Sequence, residues 1–390
     1  MGNPGLDEDV FEQLLDTVKR FTRERLLPAE ETVENTDDIP ETLVQEMREL
    51  GLFGISIPQE YGGIGLNMRQ EVRVAEELCY ASLAFRSLIG TTVGIGSQGI
   101  VMHGSSKQKQ TYLPKLASGE IIASFALTEP DTGSDAAHIG TSAKRDGQDF
   151  LINGTKRYIT NATRCGMYTL LARTDPDIDG AGGITAFLLP ADTPGIHLGK
   201  PDKKLGQRGT RTCDVMLENV RLPESAIIGG PDRLNKGFRT AMQVLDRGRI
   251  HLSGVATGTA QRMVDEATRY AAERKQFGVP IGEHQLVQGL LADCQTDLLA
   301  MRALCQSAAK IFDTNGKAPL EASCSKYFSS EAAGRIADKA LQVFGGAGYM
   351  AAYPIERLYR DVRLLRIYEG TSQIQQMIIG RSMIRNISGT

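Results

Sequence analysis

The stretch IYEGTSQIQ, residues 367–375, sets a carboxylate, Glu369, one residue before Gly370. It falls in a turn between RDVRLLR and a closing helix that Thr371 and Ser372 are able to cap. Flanked by Ile367 and Tyr368, such an acid could be desolvated enough to abstract a carbon-bound proton. Taken alone, the pattern is that of a surface loop acid. A second candidate is GIGSQG, residues 94–99, a literal G-x-G-x-x-G. A dinucleotide site there needs a strand before the glycines and a helix after them. That helix would have to run through HGSS and survive Pro114, at a cost of ~3 kcal/mol for an interior proline. No acid stands at the end of a second strand, because Glu129 comes too late. The glycines read instead as small residues on a helix that leave room for a ligand chain. GGAGYMA at 345–351 follows a helix and fails as a dinucleotide fingerprint too.

Further stretches keep Glu369 company. FALTEPDTGSD (125–135) is a strand ending in a polar loop, whose Thr128, Ser134 and backbone N–H groups suit ring edges or phosphate. KRYITNA (156–162) places Tyr158 and Thr160 on a strand. LDRGRI (245–250), YAAERKQFG (270–278), EHQ (283–285) and ALQVFGGAGYM (340–350) complete the set.

Bulk properties narrow the classes. The 390 residues carry 47 acidic and 44 basic side chains, a net charge of −3, so no polyanion-binding field is built in and nucleic acid is not an expected partner. No apolar run approaches the roughly 20 residues of a membrane span. The opening MGNPGLDEDVFEQLLDTVKR lacks the basic-then-apolar order of a secretion signal, and Leu6 stands where an acylation signal wants Ser or Thr. The expected location is cytoplasmic. Six cysteines without a C-x-x-C pair and five dispersed histidines give no metal site and no disulfide framework.

The elements that must position these residues fall into three parts. Residues 1–120 read as helices broken by loops: DVFEQLLDTVKRFTRERLLP stops at Pro28, PETLVQEMRELGL ends at Gly51, and MRQEVRVAEELCYASLAF returns to helix. Residues 121–233 read as β structure, with Asp-Gly at 146 and Asn-Gly at 153 as hairpin cues. Residues 234–390 return to helical period in four long segments, Phe238 to Phe277, His284 to Thr314, Leu320 to Phe344 and Ser372 to Ile387, which suggest a four-helix bundle. The class is therefore α+β: an N-terminal helical domain, a middle β-barrel or sandwich, and a C-terminal bundle.

This set of motifs, in this order, closely resembles the acyl-CoA dehydrogenase family of flavoproteins, from the first helix to about Asn386. The resemblance implies α,β-dehydrogenation of an acyl-CoA thioester to the enoyl-CoA, with FAD as cofactor. Glu369 would be the base for the α-proton while the β-hydrogen leaves as hydride to flavin N5. Its backbone N–H would be one donor to the thioester carbonyl. Some members carry the base in the segment beginning at LDRGRI, near Gly248, which here has no side chain to act. By the same resemblance Phe125, Ala126, Leu127, Thr128 and Ser134 hold FAD, with Tyr158, Ile159 and Thr160 beside its ring. The ring's neighbour is commonly Trp in the family, and this chain has none. Arg274, Gln276, Phe277 and Gln285, with Gln342, Val343, Phe344, Gly345 and Gly346, would reach the cofactor of a neighbouring subunit. Thr371, Ser372 and Gln373 would touch it after the base. Asp246, Arg249, Ser134 and Gly370 would meet the acyl-CoA. For Asp246 alone, a helix N-cap is the plain alternative. A homo-oligomer, most often a tetramer, is implied, with an electron-transfer flavoprotein as the usual acceptor.

Arg86, in FRSLIGTTVGIGSQG, matches the arginine with which glutaryl-CoA dehydrogenases hold a distal carboxylate. It either faces the acyl tunnel and selects an anionic acyl end, or caps and pairs structurally while the substrate is a short or branched acyl-CoA. An acyl-CoA oxidase and a non-catalytic protein of the same fold are the remaining alternatives.

Overall fold

The computed structural model describes residues 3–388. Helix α1, Glu8–Phe21, buries Phe11, Leu15, Val18 and Phe21 at helical spacing. It does not stop at Pro28: a π turn, Thr22–Leu26, carries the chain into α2, Leu27–Thr36, with the proline in its first turn. Proline is tolerated there because a first-turn residue needs no N–H partner in its own helix. Helix α3, Glu41–Glu49, ends at Gly51 in the left-handed region (φ 68°). Helix α4, Met68–Leu78, is separate from α5, Leu83–Gly90, whose N-cap Ser82 accepts from the Ala84 N–H. A second π turn, Thr91–Gly96, leads to α6, Gln98–His103. After a break at Gly104, α7, Ser106–Ala117, holds Pro114 inside it. The objection raised by Pro114 therefore fails, and the break at Gly104 is what ends the helix that follows the glycines.

The β domain is one seven-stranded sheet, a half-barrel rather than two packed sheets. Its strands are β1 Ala123–Ala126, β2 Ser142–Asp146, β3 Asp149–Thr160, β4 Met167–Arg173, β5 Ile184–Pro190, β6 Ile196–Leu198 and β7 Thr212–Pro223. The order is β1-β4-β2-β3-β7-β6, with β5 on β4. Asp146 pairs with Asp149 across a tight turn at Gly147, as the Asp-Gly cue requires. Asn-Gly at 153 makes no turn. It forms a bulge in mid-β3, where Asn153 Oδ1 accepts from the Asn219 N–H at 2.8 Å and Gly154 leaves room for Thr141.

Helix α8, Gly237–Glu273, runs about 55 Å in its 37 residues, from the sheet to the far end of the C-terminal domain. It begins before LDRGRI, so Asp246 lies inside it and is no N-cap. It ends at Glu273, short of Phe277, because residues 274–280 form a small hairpin of β8, Lys275–Gln276, and β9, Val279–Pro280. Helices α9, Gln285–Asn315, and α10, Pro319–Phe344, pack on α8 around Leu252, Val255, Met263 and Ala267. A short helix, α11 Pro354–Val362, precedes the last one, α12 Ser372–Ser388, so the bundle carries an extra helix beyond the four read from sequence. Among the described residues no helix is long and apolar enough to cross a membrane.

Candidate active site

A cavity of about 360 Å³ lies where the three parts meet. Arg86, Ser87, Gly90, Thr91 and Ile95 line it from the N-terminal helices, and Phe125, Leu127, Thr128, Ser134, Tyr158, Ile159 and Thr160 from the β domain. Phe238, Met242, Leu245 and Arg249 come from α8, and Leu364, Tyr368, Glu369, Gly370 and Ile374 from the last turn and helix. A larger open groove of about 1160 Å³, bordered by charged side chains such as Glu34, Lys203 and Arg360, contains none of the expected site residues.

Glu369 adopts the left-handed region (φ 53°), which a non-glycine residue holds only under constraint. Four contacts supply that constraint. The Glu369 carbonyl accepts from Arg249 Nε at 3.4 Å and from Gln375 Nε2 at 3.1 Å. The Gly370 carbonyl accepts from Lys326 Nζ at 2.7 Å and from Gln375 Nε2 at 3.1 Å. Gly370 has φ 89°, and a Cβ there would meet Gln375 Nε2 at 2.7 Å, so this position requires glycine. Thr371 caps α12 by accepting from the Ile374 N–H. Ser372 does not cap: its hydroxyl donates to Glu331 at 2.5 Å, away from the cavity.

The carboxylate itself is left bare. Glu369 Oε2 is shielded from solvent and has no hydrogen-bond partner among the described residues. Burial pushes its carboxyl above the ordinary range, against the opposing charges of Arg86, Lys326 and Arg249. Tyr368 supplies shielding, whereas Ile367 is 48% exposed and supplies none. The Glu369 N–H makes no hydrogen bond among the described residues, which leaves a donor free at the cavity. Below the loop, burial lowers Lys326 to about 8. Arg249 Nη1 pairs with Asp246 Oδ1 at 2.6 Å, so of these two α8 residues Arg249 reaches the cavity and Asp246 holds it.

Arg86 is 6% exposed and lies along its own helix: a Cβ on Gly90 would come within 2.8 Å of its Cζ, and one on Gly94 within 3.8 Å of Nη2. The small residues of this stretch thus make room for a guanidinium. Gly96 and Gly99 do not open the cavity, since Gly96 packs on Ala123 and Gly99 faces Ile228 and Thr240. Arg86 Nε donates to His251 Nε2 at 3.0 Å, and His251 Nδ1 meets Glu71 Oε1 at 2.7 Å. Arg247 pairs with the other oxygen of Glu71.

The β-domain face suits a flat, polar-edged group. Tyr158 stands at φ 57° beside a register shift between Lys156 and Ile159, lines the cavity and is 60% exposed. The hydroxyls of Thr128, Ser134 and Thr160 make no hydrogen bond among the described residues and remain available to a ligand. Behind them Glu129 accepts from the N–H groups of Gly140 (2.6 Å) and Thr141 (2.9 Å) and from Lys156 Nζ (2.7 Å), which fixes the 129–141 loop. Ala126 alternates away into the β core.

Other expected residues lie elsewhere. Arg274, Gln276, Phe277, Gln285, Gln342, Gly345 and Gly346 are exposed on the C-terminal domain, and Gln373 is exposed on α12. Val343 and Phe344 are buried, with the Phe344 ring stacked on Tyr270 at 4.2 Å, so these two side chains serve the core. Sequence reasoning missed Lys204, Gln207, Thr210 and Thr212, which reach the cavity from the β6–β7 connection and the start of β7. It also missed Lys326, Glu71 and His251. A charged or imidazole side chain amid small residues, as in RIHLSG and SCSKYFSS, was the available signal.

Three family models, described as the N-terminal, middle and C-terminal domains of acyl-CoA dehydrogenase, match residues 8–120, 124–220 and 235–384. The chain belongs to the acyl-CoA dehydrogenase family, whose members are FAD flavoproteins and oxidoreductases acting on acyl-CoA. The chain is 41% identical over 365 residues to a 3-(aryl)acrylate reductase of Clostridium sporogenes, covering 94% of this chain and 96% of that one. A chain from a structure of the electron transferring flavoprotein of Acidaminococcus fermentans superposes with TM-score 0.93 at 33% identity, covering 98% and 100% of the two chains. A glutaryl-CoA dehydrogenase of Mycobacterium smegmatis in complex with FADH2 superposes with TM-score 0.89 at 32% identity, covering 97% and 95%.

Proposed function

We propose that this protein dehydrogenates an acyl-CoA to the trans-2-enoyl-CoA with Glu369 as the base that takes the α-proton. The observation that carries this reading is a carboxylate at the cavity where the three domains meet, whose Oε2 is shielded from solvent and has no hydrogen-bond partner among the described residues. Its raised proton affinity suits a base working on a weak carbon acid. The unpaired Glu369 N–H supports the same reading, as a donor free to meet the thioester oxygen as enolate character grows. Tyr158, Thr160, Thr128 and Ser134 would hold FAD, which would supply the acceptor for the β-hydride. Arg249, held by Asp246, would meet the acyl-CoA, and Leu245, Ile95 and Tyr368 wall the cavity beside the base.

Arg86 enters the same cavity with Nη1 and Nη2 free of any protein acceptor among the described residues, and this supports an acyl group with an anionic end. The competing reading, a short or branched monocarboxylic acyl group with Arg86 structural, is favoured by the hydrogen bond to His251. Turnover of glutaryl-CoA and butyryl-CoA by wild type and Arg86→Ala separates them: the anion reading expects the glutaryl preference to collapse, and an unchanged preference rejects it. The exposed Phe277 (94%), Leu286 (88%) and Tyr349 (81%) support a homo-oligomer, a tetramer in this reading, in which Arg274, Gln285 and Gln342 approach a neighbour's cofactor. An electron-transfer flavoprotein as acceptor rests on the structural likeness above. Six free cysteines suit the reducing cytoplasm. Anaerobic bleaching of the yellow protein by an acyl-CoA tests the activity as a whole, and a flavin that no acyl-CoA reduces rejects it.

A further inference from the structure

The four charged or titratable side chains behind the cavity form one buried line, Arg86–His251–Glu71–Arg247, drawn from α5, α8 and α4. Every member is at least nine-tenths buried. Its protonation states follow from donor chemistry. Arginine N–H groups only donate, so at 3.0 Å from Arg86 Nε the His251 Nε2 atom is the acceptor and carries no proton. The ring proton is then on Nδ1 and is donated to Glu71 Oε1 at 2.7 Å. Glu71 spends its charge on Arg247, which grips its other oxygen. Burial, with Arg86 adding to it, holds His251 down at about 4, so the ring stays neutral across the working pH range.

The consequence is an arginine that is oriented without being neutralised. A carboxylate in place of His251 would quench Arg86, and an apolar residue would leave it unaimed. Neutral imidazole takes only Nε, and leaves Nη1, Nη2 and the full charge to the cavity. Gly90 supplies the room in which the guanidinium lies flat along its helix. We propose that His251, fixed as the Nδ1–H tautomer by Glu71, is the positioning residue that aims Arg86 into the acyl cavity with Nη1 and Nη2 unbonded, and so sets selectivity for an acyl group with an anionic end. The selectivity half of this inference rests on the substrate reading above. The aiming half does not.

The experiment compares wild type, Arg86→Gln, His251→Gln, His251→Leu and His251→Glu as FAD-loaded full-length proteins. One readout is the ratio of kcat/KM for glutaryl-CoA to that for butyryl-CoA. The other is the acid limb of kcat/KM with butyryl-CoA, which reports Glu369. The charged groups facing Glu369 are Arg86 from α5, Arg249 from α8 and Lys326 from α10, with the Tyr368 phenol beside it. His251→Leu and His251→Glu are expected to lower the ratio about ten-fold or more, as Arg86→Gln does, while His251→Gln, whose amide oxygen accepts from Nε, stays within about three-fold of wild type. Quenching Arg86 removes a cation that holds Glu369 ionised, so His251→Glu should move the acid limb to higher pH, as Arg86→Gln does. A ratio and a limb both unmoved in His251→Leu and His251→Glu overturn the proposal. Should His251→Glu fail to fold, the contrast between His251→Leu and His251→Gln decides. If wild type and Arg86→Gln share one ratio, the substrate reading and the selectivity half fall together. The limb then judges the aiming half: a shift with His251 sustains it and none overturns it.

Discussion

The carboxylate of Glu369 lies directly against Gly248: a Cβ built on that glycine would stand 2.5 Å from Glu369 Oε2. The two positions, 121 residues apart in sequence, share one volume, so the space occupied by the acid is the space that α8 leaves empty. Some relatives are expected to place their base near this glycine. Here a side chain at 248 would push the carboxylate of 369 from its place. Gly248→Ala is therefore expected to displace Glu369 and lower kcat about 10- to 100-fold, since misplacement by an ångström costs on that order. FAD content should be unchanged, because Gly248 does not face the β domain. Stopped-flow reduction by butyryl-CoA measures the loss, and wild-type rates would mean the carboxylate does not work from this position.

Glu369→Gln should keep the shape of the loop and remove the base. The yellow protein should bind acyl-CoA and lose flavin reduction by about 10³-fold or more. In wild type the carboxyl is raised by burial, and it must be ionised to act. Activity is thus present at high pH and lost as pH falls through a value above the ~4.3 of a free glutamate. A kcat/KM profile flat from pH 5 to pH 9 would contradict this.

Lys326→Met removes the donor to the Gly370 carbonyl and a cation below the base. Losing that charge raises Glu369 further, so the acid limb should move to higher pH with a lower plateau. Because Lys326 is held at about 8 in the fold, the unfolded chain keeps this proton longer. Wild-type stability should accordingly gain from this group as pH rises from about 8 towards 10.4, the ordinary value of a lysine, and the variant should lack that gain. Chemical denaturation at pH 7.5 and pH 9.5 compares the two.

Glu129→Ala leaves Lys156, fully buried, without its countercharge and frees the Gly140 and Thr141 N–H groups. Removing one partner of a buried pair costs about 3–5 kcal/mol. The variant should melt lower and release FAD more readily, because the freed loop carries Ser134. Calorimetry and the flavin-to-protein absorbance ratio are the measurements, and retention of FAD with an unchanged Tm would refute the role given to Glu129.

Much of this site was legible from short motifs. IYEGT fixed an acid and a glycine whose spacing serves one turn, and the turn formed as expected, with Gly370 at φ 89°. LTEPDTGSD and KRYIT named most of the β-domain wall. Asn-Gly at 153 misled, because the same dipeptide serves a hairpin turn or a bulge, and strand β7 on its far side decided for the bulge. Pro28 and Pro114 misled because a first-turn position and a helix of the observed packing accept them. Val343 and Phe344 have the right motif, yet their side chains went to the bundle core, which no local pattern could show.

The sequence by itself determined the helical, β, helical order and most of the elements, and singled out the acid in the turn before the last helix, since hydrophobic period and turn residues act over neighbouring positions. Only the tertiary structure decided what faces what. It set Glu369 over Gly248, brought Lys326 under the loop, and ran Arg86 to Glu71 through His251, 165 residues further along the chain. Such pairings depend on how α4, α5, α8 and α10 pack. The charge that each side chain keeps, neutralises or presents to a ligand is set by the burial and partners this packing creates.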